Sequence, residues 1–251
     1  MVDGVLSAGY GGLLSSGSGD ILDQIRQAGK DPIKALVVRI NSPGGSAATS
    51  WEIYEELKRV RESGKVVVVS MADVAASGGY AVACAADFIV ANPATVTGSI
   101  GVIIDATNME DLYQLLGINY EAIKSGDFKD TPNPARSLDE QEKALLQTMV
   151  DDIYEQFLDI VTEGRGLSRE EVLPYADGRV LTGRQAQAAG LVDELGTFQD
   201  AVNIAARMSG IQGEPQIYRY RSGDIWNRFF TGAVQDTNLS FLFLRKGILF
   251  Q

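Results

Sequence analysis

Ala35-Leu36-Val37-Val38-Arg39-Ile40-Asn41-Ser42-Pro43-Gly44-Gly45-Ser46 is the stretch from which the fold can be read. Its first six residues are a short, mostly apolar run of the kind found in fully buried strands. The run stops at Pro43, which fixes one φ angle, and at two glycines that permit positive φ, so a tight turn with exposed backbone amides follows. Trp51, Tyr54, Leu57 and Val60 then recur at helical spacing up to Gly64. The unit repeats. Lys65-Val66-Val67-Val68-Val69-Ser70 reads as a second buried strand, Ser77 opens a helix of small residues, and Phe88-Ile89-Val90 reads as a third strand. Residues 97–103 read as a turn running into a fourth strand, 112–116 as a short helix and 119–123 as a fifth strand. Strand, turn and helix in repetition predict an α/β fold with a largely parallel sheet covered by helices. In such sheets ligands bind at the turns beyond the strand ends.

Before this core, residues 9–19 are rich in Gly and Ser and read as a loop, with Asp20 as the cap of a helix through Ile21, Leu22 and Ile25. Only Val5-Leu6 remains of the apolar strand that usually opens such domains, which reads as a trimmed N-terminus with an upstream segment, such as a membrane anchor, removed. After Pro134 a long amphipathic helix is expected over 137–162, with Ser137 as cap, Glu140 as capping-box partner, and Leu145, Leu146, Met149, Val150, Ile153, Phe157 and Ile160 on its apolar face. The expected division is an α/β domain over 1–221 and an aromatic-rich tail over 222–251. The tail has three readings: packed on the domain, touching a membrane or neighbouring subunit, or lying in a groove as a substrate-like strand.

The 251-residue chain, 45% hydrophobic, is long enough for a sizeable core. A net charge of −11 argues against nucleic acid as a partner, because phosphate binding needs basic patches. No run reaches the ~18 apolar residues of a membrane span, and the first residues lack the basic start and apolar stretch of a secretory signal. The single cysteine, Cys84, falls in an apolar run and reads as a buried structural thiol.

The chain has no histidine. No Ser-His-Asp or Cys-His mechanism can therefore be assembled within it, and a serine nucleophile would need another base, usually lysine. Ser77, in Val74-Ala75-Ala76-Ser77-Gly78-Gly79-Tyr80, stands at a helix N-terminus where unpaired amides favour negative charge. Gly78 and Gly79 let a carbonyl approach the backbone, and the Pro43-Gly44-Gly45 turn offers a second amide for an oxyanion hole. A Gly-Gly turn by itself is more often structural than catalytic.

Five motifs occur in order: Ser42-Pro43-Gly44-Gly45, Ala75-Ala76-Ser77-Gly78-Gly79-Tyr80, Thr97-Gly98-Ser99-Ile100-Gly101-Val102, Lys124-Ser125-Gly126 with Lys129-Asp130, and Asp177-Gly178-Arg179 through Gly183-Arg184-Gln185-Ala186. Together, over roughly residues 35–208, they resemble the bacterial signal peptide peptidase A family, Ser-Lys proteases of the Clp/crotonase fold. The resemblance implies Ser77 as nucleophile, Lys129 as general base, and Ser99 as the serine that orients the lysine, although a plain turn serine is the alternative there. It implies the Gly44 and Gly78 amides as the oxyanion hole, with Gly45 and Gly79 as backbone along the substrate. Lys124 competes for the base role but sits where the family lysine does not. No cofactor or metal is implied.

The resemblance also implies a homo-oligomer whose serine and lysine come from adjacent protomers, and substrates that are signal-peptide remnants or other apolar extended peptides. It implies a membrane-associated, extracytoplasmic catalytic domain, brought to the membrane by a segment not in this sequence. Such a mechanism makes a demand: at pH 7 only about one free lysine in 2,500 is neutral, so a lysine base must be desolvated. Three rivals are a crotonase-type acyl-CoA hydratase, a ring-forming scaffold without activity, and a Ser-Lys protease of the stomatin-associated group.

Overall fold

The computed structural model describes residues 1–3, 5–7 and 18–220. The chain divides into two units, Met1–Gln216 and Ile217–Gln251, and the described secondary structure lies in the first. The Gly/Ser-rich stretch 9–17 and the aromatic residues from Trp226 to Phe250 lie outside the described residues. In chain order the elements begin β1 (Val2–Asp3), α1 (Ser18–Lys30), β2 (Ala35–Ser42), α2 (Ala47–Glu62), β3 (Val66–Ala76) and α3 (Gly78–Ala83). They continue with β4 (Phe88–Ala91), β5 (Val96–Gly98), α4 (Glu110–Leu115), α5 (Glu140–Arg165) and α6 (Arg169–Val172). The last are β6 (Val180–Thr182), α7 (Gly183–Ala188), β7 (Glu194–Leu195) and α8 (Phe198–Met208).

The sheet runs β1-β2-β3-β4-β7, all neighbours parallel. The eleven-residue β3 is its hub: residues 68–71 pair with β4, and residues 74–76 pair with β5, which is joined by the antiparallel β6. The period of two sends alternate β-branched residues to opposite faces. Ile40, Val67, Val69 and Met71 enter the main core with α1, α2, α3 and α5, whereas Val68 and Val90 meet Ala201, Ile204 and Ala205 of α8 on the other face. Both faces being covered explains why the strands read as continuous apolar runs. Cys84 lies in the main core as a free thiol whose pKa burial pushes up to about 12, which keeps it unreactive.

Several elements differ from expectation. The opening strand starts at Val2, whose pairing with Ile40 is followed by a bridge from Leu6 to Gly45. Asp20 lies in the first turn of α1 rather than capping it. The long helix is capped by Asp139 with Glu142 as its reciprocal partner, two residues beyond Ser137 and Glu140, because Asp139 reaches two backbone amides, those of Gln141 and Glu142. Phe157, Leu158 and Val161 of α5 are buried, but Leu145 and Met149 are exposed, so only the C-terminal half of the amphipathic face meets the core. There, Gly164 lies so close to α3 that a Cβ would stand 2.3 Å from the Cys84 carbonyl oxygen.

Residues 101–139 form an arm. No apolar side chain in it is buried; Ile103, Leu115, Leu116 and Ile123 are exposed. The strand expected within 97–103 is β5, which starts earlier and ends at Gly98, and the strand expected over 119–123 does not form: Ile123 is 99% exposed with no partner strand beside it among the described residues. The base of the arm is held by charge. Arg136 makes a two-pronged contact with Glu142, both distances 2.6 Å, and reaches Asp130 at 3.1 Å. Lys124 Nζ donates to Asp130 at 2.7 Å and to the Asp127 carbonyl at 2.8 Å, and Asn133 donates to Asp130 at 2.9 Å. Glu142, buried in the first turn of α5, also accepts from the Thr131 hydroxyl and the Asp139 amide.

Gly164→Ala is expected to destabilise the protein by about 1–3 kcal/mol through overpacking against Cys84, read as a lower denaturant midpoint at unchanged slope. The arm should respond to acid. Arg136, Thr131 and the Asp139 amide hold the Glu142 carboxyl down at about 2, and Lys124, Asn133 and Arg136 hold that of Asp130 well below the usual carboxylate range. Both folded values are depressed, so their stabilisation is complete above the ordinary carboxylate range and is lost as pH falls from about 4 toward 2. Amide exchange over residues 124–142, corrected for intrinsic rates, should speed up in that window before the β2–β3 amides do; simultaneous loss would contradict it.

Candidate active site

β3 delivers Ser77 to the edge of the core in a backbone conformation that few side chains adopt, φ 52° and ψ −124°. Such a conformation costs about 1–3 kcal/mol and persists only where its surroundings impose it. They do so from both sides. The Ser77 amide donates to the Gly98 carbonyl at 2.9 Å, while the Ser77 carbonyl accepts from the Tyr80 and Ala81 amides at 2.9 and 3.0 Å, starting α3. Tyr80, fully buried, anchors α3 by donating its hydroxyl to the Leu191 carbonyl at 2.9 Å. The small residues of the motif let β3 continue into β5 pairing, and the buried Thr97 hydroxyl ties the two strands through the Ala75 carbonyl at 2.7 Å.

The turn after β2 meets this elbow. Gly44 has φ 106°, and a Cβ there would stand 2.8 Å from both Ser77 Cβ and the Gly78 nitrogen. A Cβ on Gly79 would stand 2.8 Å from the Ser42 carbonyl oxygen, and one on Gly78 would stand 2.2 Å from Ser50 Oγ. Ser77, Gly44, Gly45, Gly78 and Gly79 are thus brought together, with the glycines in contacts that exclude larger residues. The turn is pinned from the N-terminus: Leu6 donates its amide to the Gly44 carbonyl at 2.8 Å and accepts from the Ser46 amide at 2.7 Å.

The amides are not equivalent. The Gly44 N–H donates to Ser42 Oγ at 3.2 Å, whereas the Gly45 and Gly78 amides have no hydrogen-bond acceptor among the described residues. A Cβ on Gly78 would stand 3.5 Å from the Gly45 nitrogen, so two amides without an acceptor among the described residues lie close together beside Ser77. The engagement of Gly44 has a local cause in the sequence, Ser42 two residues before it, a spacing at which a serine hydroxyl caps a turn amide.

Ser99 also has positive φ, 51°, and its amide donates to the Arg179 carbonyl at 2.8 Å. Gly178 donates to the Ile100 carbonyl at 2.9 Å, and Gly101 packs against Gly178. The Asp177-Gly178-Arg179 motif therefore braces the Ser99 turn, and the Asp177 carboxyl is held at about 2 by Arg179. Since Gly98 receives the Ser77 amide, Ser99 is one residue from a direct bond to the elbow.

Lys129 lies exposed in a turn of the arm, and no hydrogen bond or ion pair of its ammonium, to Ser77 or to any other group, is found among the described residues. Lys124, five residues earlier, is ion-paired with Asp130 at 2.7 Å.

Residues 59–212 match the sequence pattern of peptidase family S49, and residues 16–95 match that of Clp protease. A Synechocystis sp. protein provisionally named a protease is 43% identical over 80% of this chain and 72% of its own length. "Protease 4" of Salmonella typhi is 39% identical over 75% of this chain, and "Serine protease SPPA, chloroplastic" of Arabidopsis thaliana is 36% identical over 83%. The chain spans only 31% and 32% of the length of these last two. Among solved structures, a mutant ClpP1 from Listeria monocytogenes superposes with a TM-score of 0.54 over 80% of this chain and 92% of its own, at 17% identity, which establishes the fold alone. With the parallel sheet, the strained serine and the glycine turn already in place, the match over most of the domain has one meaning: the chain belongs to peptidase family S49, on a Clp-type fold.

Proposed function

We propose that this protein is a serine endopeptidase that uses a Ser77–Lys129 dyad to cut apolar, extended peptides. The observation that carries the reading is Ser77 on a strained turn, beside the unengaged Gly45 and Gly78 amides, in a chain without histidine. In the proposed reaction a neutral lysine removes the Ser77 proton as Oγ attacks the scissile carbonyl. The developing oxyanion accepts from the Gly78 amide and from an amide of the glycine turn; Gly45 is unengaged, and Gly44 would first have to leave Ser42 Oγ. The lysine cation protonates the leaving amine as the C–N bond breaks. A water deprotonated by the same lysine then cleaves the acyl ester and restores Ser77. Ser99 is proposed to orient the lysine, its backbone held for that purpose by Arg179.

The dyad is proposed to form between subunits of a homo-oligomer. Lys129 sits on an arm whose apolar side chains find no cover among the described residues of their own chain, and a second copy would bury them. The same cover would desolvate the lysine, as a base on this residue requires. Peptide substrates such as signal-peptide remnants, and a membrane-associated, extracytoplasmic setting, fit the family and complete the proposal. No helix among the described residues is long and apolar enough to cross a membrane.

Hydrolysis of fluorogenic apolar peptides tests the chemistry. Ser77→Ala and Lys129→Ala should each lose about 10³-fold or more in kcat with unchanged circular dichroism, while Lys124→Ala loses far less. A dead Lys124→Ala beside an active Lys129→Ala would overturn the base assignment. Gly44→Ala should lose at least about 10²-fold, because its Cβ would intrude between Ser77 and the Gly78 amide. Mixing Ser77→Ala with Lys129→Ala protein and reassembling should restore about a quarter of the sites if the dyad spans two protomers. No recovery, in mixtures shown to exchange subunits, would place both groups in one chain.

A further inference from the structure

We infer that Asp130, Arg136 and Glu142, with Lys124, are positioning residues for Lys129: they fix its turn to the rigid helix α5 and keep the neighbouring carboxylate away from its amine. The inference rests on Lys129 being the base proposed above. Three observations support it.

The first is mechanical. Lys129 lies in a turn closed by its own amide on the Gly126 carbonyl at 3.2 Å and by the Thr131 amide on the Phe128 carbonyl at 3.2 Å. The surrounding arm buries no apolar side chain, so packing among the described residues of this chain does not hold it. The polar route does: Lys124 ties both the Asp127 carbonyl and Asp130, Asp130 meets Arg136, and Arg136 grips Glu142. Glu142 stands on α5, whose other end is anchored in the core through Phe157, Leu158 and Val161.

The second concerns strength. Isolated exposed ion pairs hold little, but a two-pronged guanidinium contact to a buried carboxylate, within a network, is the kind that does. Glu142 is 1% exposed and accepts from Arg136, Thr131 and the Asp139 amide.

The third is electrostatic. Asp127 and Asp130 flank Lys129, and a carboxylate that captured its ammonium would hold the proton there. Asp130 is instead occupied by Lys124, Asn133 and Arg136. Among the described residues Lys129 is left without an acidic partner, the state a base requires.

The test is the pH dependence of kcat/KM for peptide hydrolysis by the assembled protein. In Arg136→Gln, Asp130 loses a cation and becomes available to Lys129. The expected result is a kcat reduced roughly tenfold or more at pH 7 with KM little changed, and a rising limb displaced upward by roughly one pH unit. The double variant Arg136→Gln/Asp130→Asn removes the competing carboxylate, and its limb should return toward the wild-type position even though the clamp is still broken. Arg169→Gln, which deletes a two-pronged pair with Glu155 further along α5, should change neither quantity. If Arg136→Gln fails to fold by circular dichroism, Lys124→Met removes the other cation from Asp130 and should displace the limb in the same direction.

A limb that stays put in Arg136→Gln or Lys124→Met, or that the double variant does not restore, overturns the inference while leaving an inactive Lys129→Ala, and so the dyad, intact. An active Lys129→Ala instead overturns the dyad and this inference with it.

Discussion

A single backbone hydrogen bond, from the Ser77 amide to the Gly98 carbonyl, is the constraint on which the rest of the site depends. It is the last rung of the β3–β5 ladder, and it is made with Ser77 already turned to positive φ. That turn ends the strand, points the chain into α3 and leaves the Gly78 amide without an acceptor among the described residues. The same Gly98 leads directly into Ser99, whose own positive φ is enforced by Arg179. Two strained serines on adjacent strands are therefore coupled through one carbonyl. The parallel sheet supplies the stability that keeps both in place, with Val67, Val69 and Met71 buried beneath them.

The glycine turn after β2 answers the elbow from the neighbouring strand. Its proximity to Ser77 follows from the shift in register between β2 and β3: Ile40 pairs with Met71, but Ser42 pairs with Ala75. Two residues of β2 thus span four of β3, and the irregularity brings Gly44 and Gly45 level with Ser77 and Gly78. Leu6 then seals the turn from below. Close approach of this kind leaves no room for side chains, which is the physical reason that the motif is written in Gly and small residues.

The arm is built on different physics from the body. The body is held by apolar burial on both faces of a sheet; the arm exposes its apolar residues and is organised by Arg136, Glu142, Asp130 and Lys124. A catalytic lysine on such a segment would be placed by charges and covered by association. In this member of peptidase family S49 the proposed nucleophile belongs to the folded core of one chain, and Lys129 to the exposed arm.

Much of this was legible from residues alone. The central strands showed as short β-branched runs, the turns as Pro43-Gly44-Gly45 and Ser77-Gly78-Gly79, and the absence of histidine confined the chemistry to a serine with a non-imidazole base. These are local or compositional facts, and local chemistry dictates them. What failed was whatever depends on a partner. Residues 119–123 read as a strand but have no strand to pair with among the described residues, and Leu145 and Met149 sit on the apolar face of α5 beyond the reach of the core. Only the tertiary structure decided that Ser77 and Ser99 take left-handed backbone, that the Gly44 amide is engaged by Ser42 while Gly45 is not, and that Lys129 lies exposed in an arm without an apolar core. Each of these is set by hydrogen bonds or packing between segments distant in sequence or by the geometry of one turn, and neither propensity nor hydrophobic periodicity carries that information.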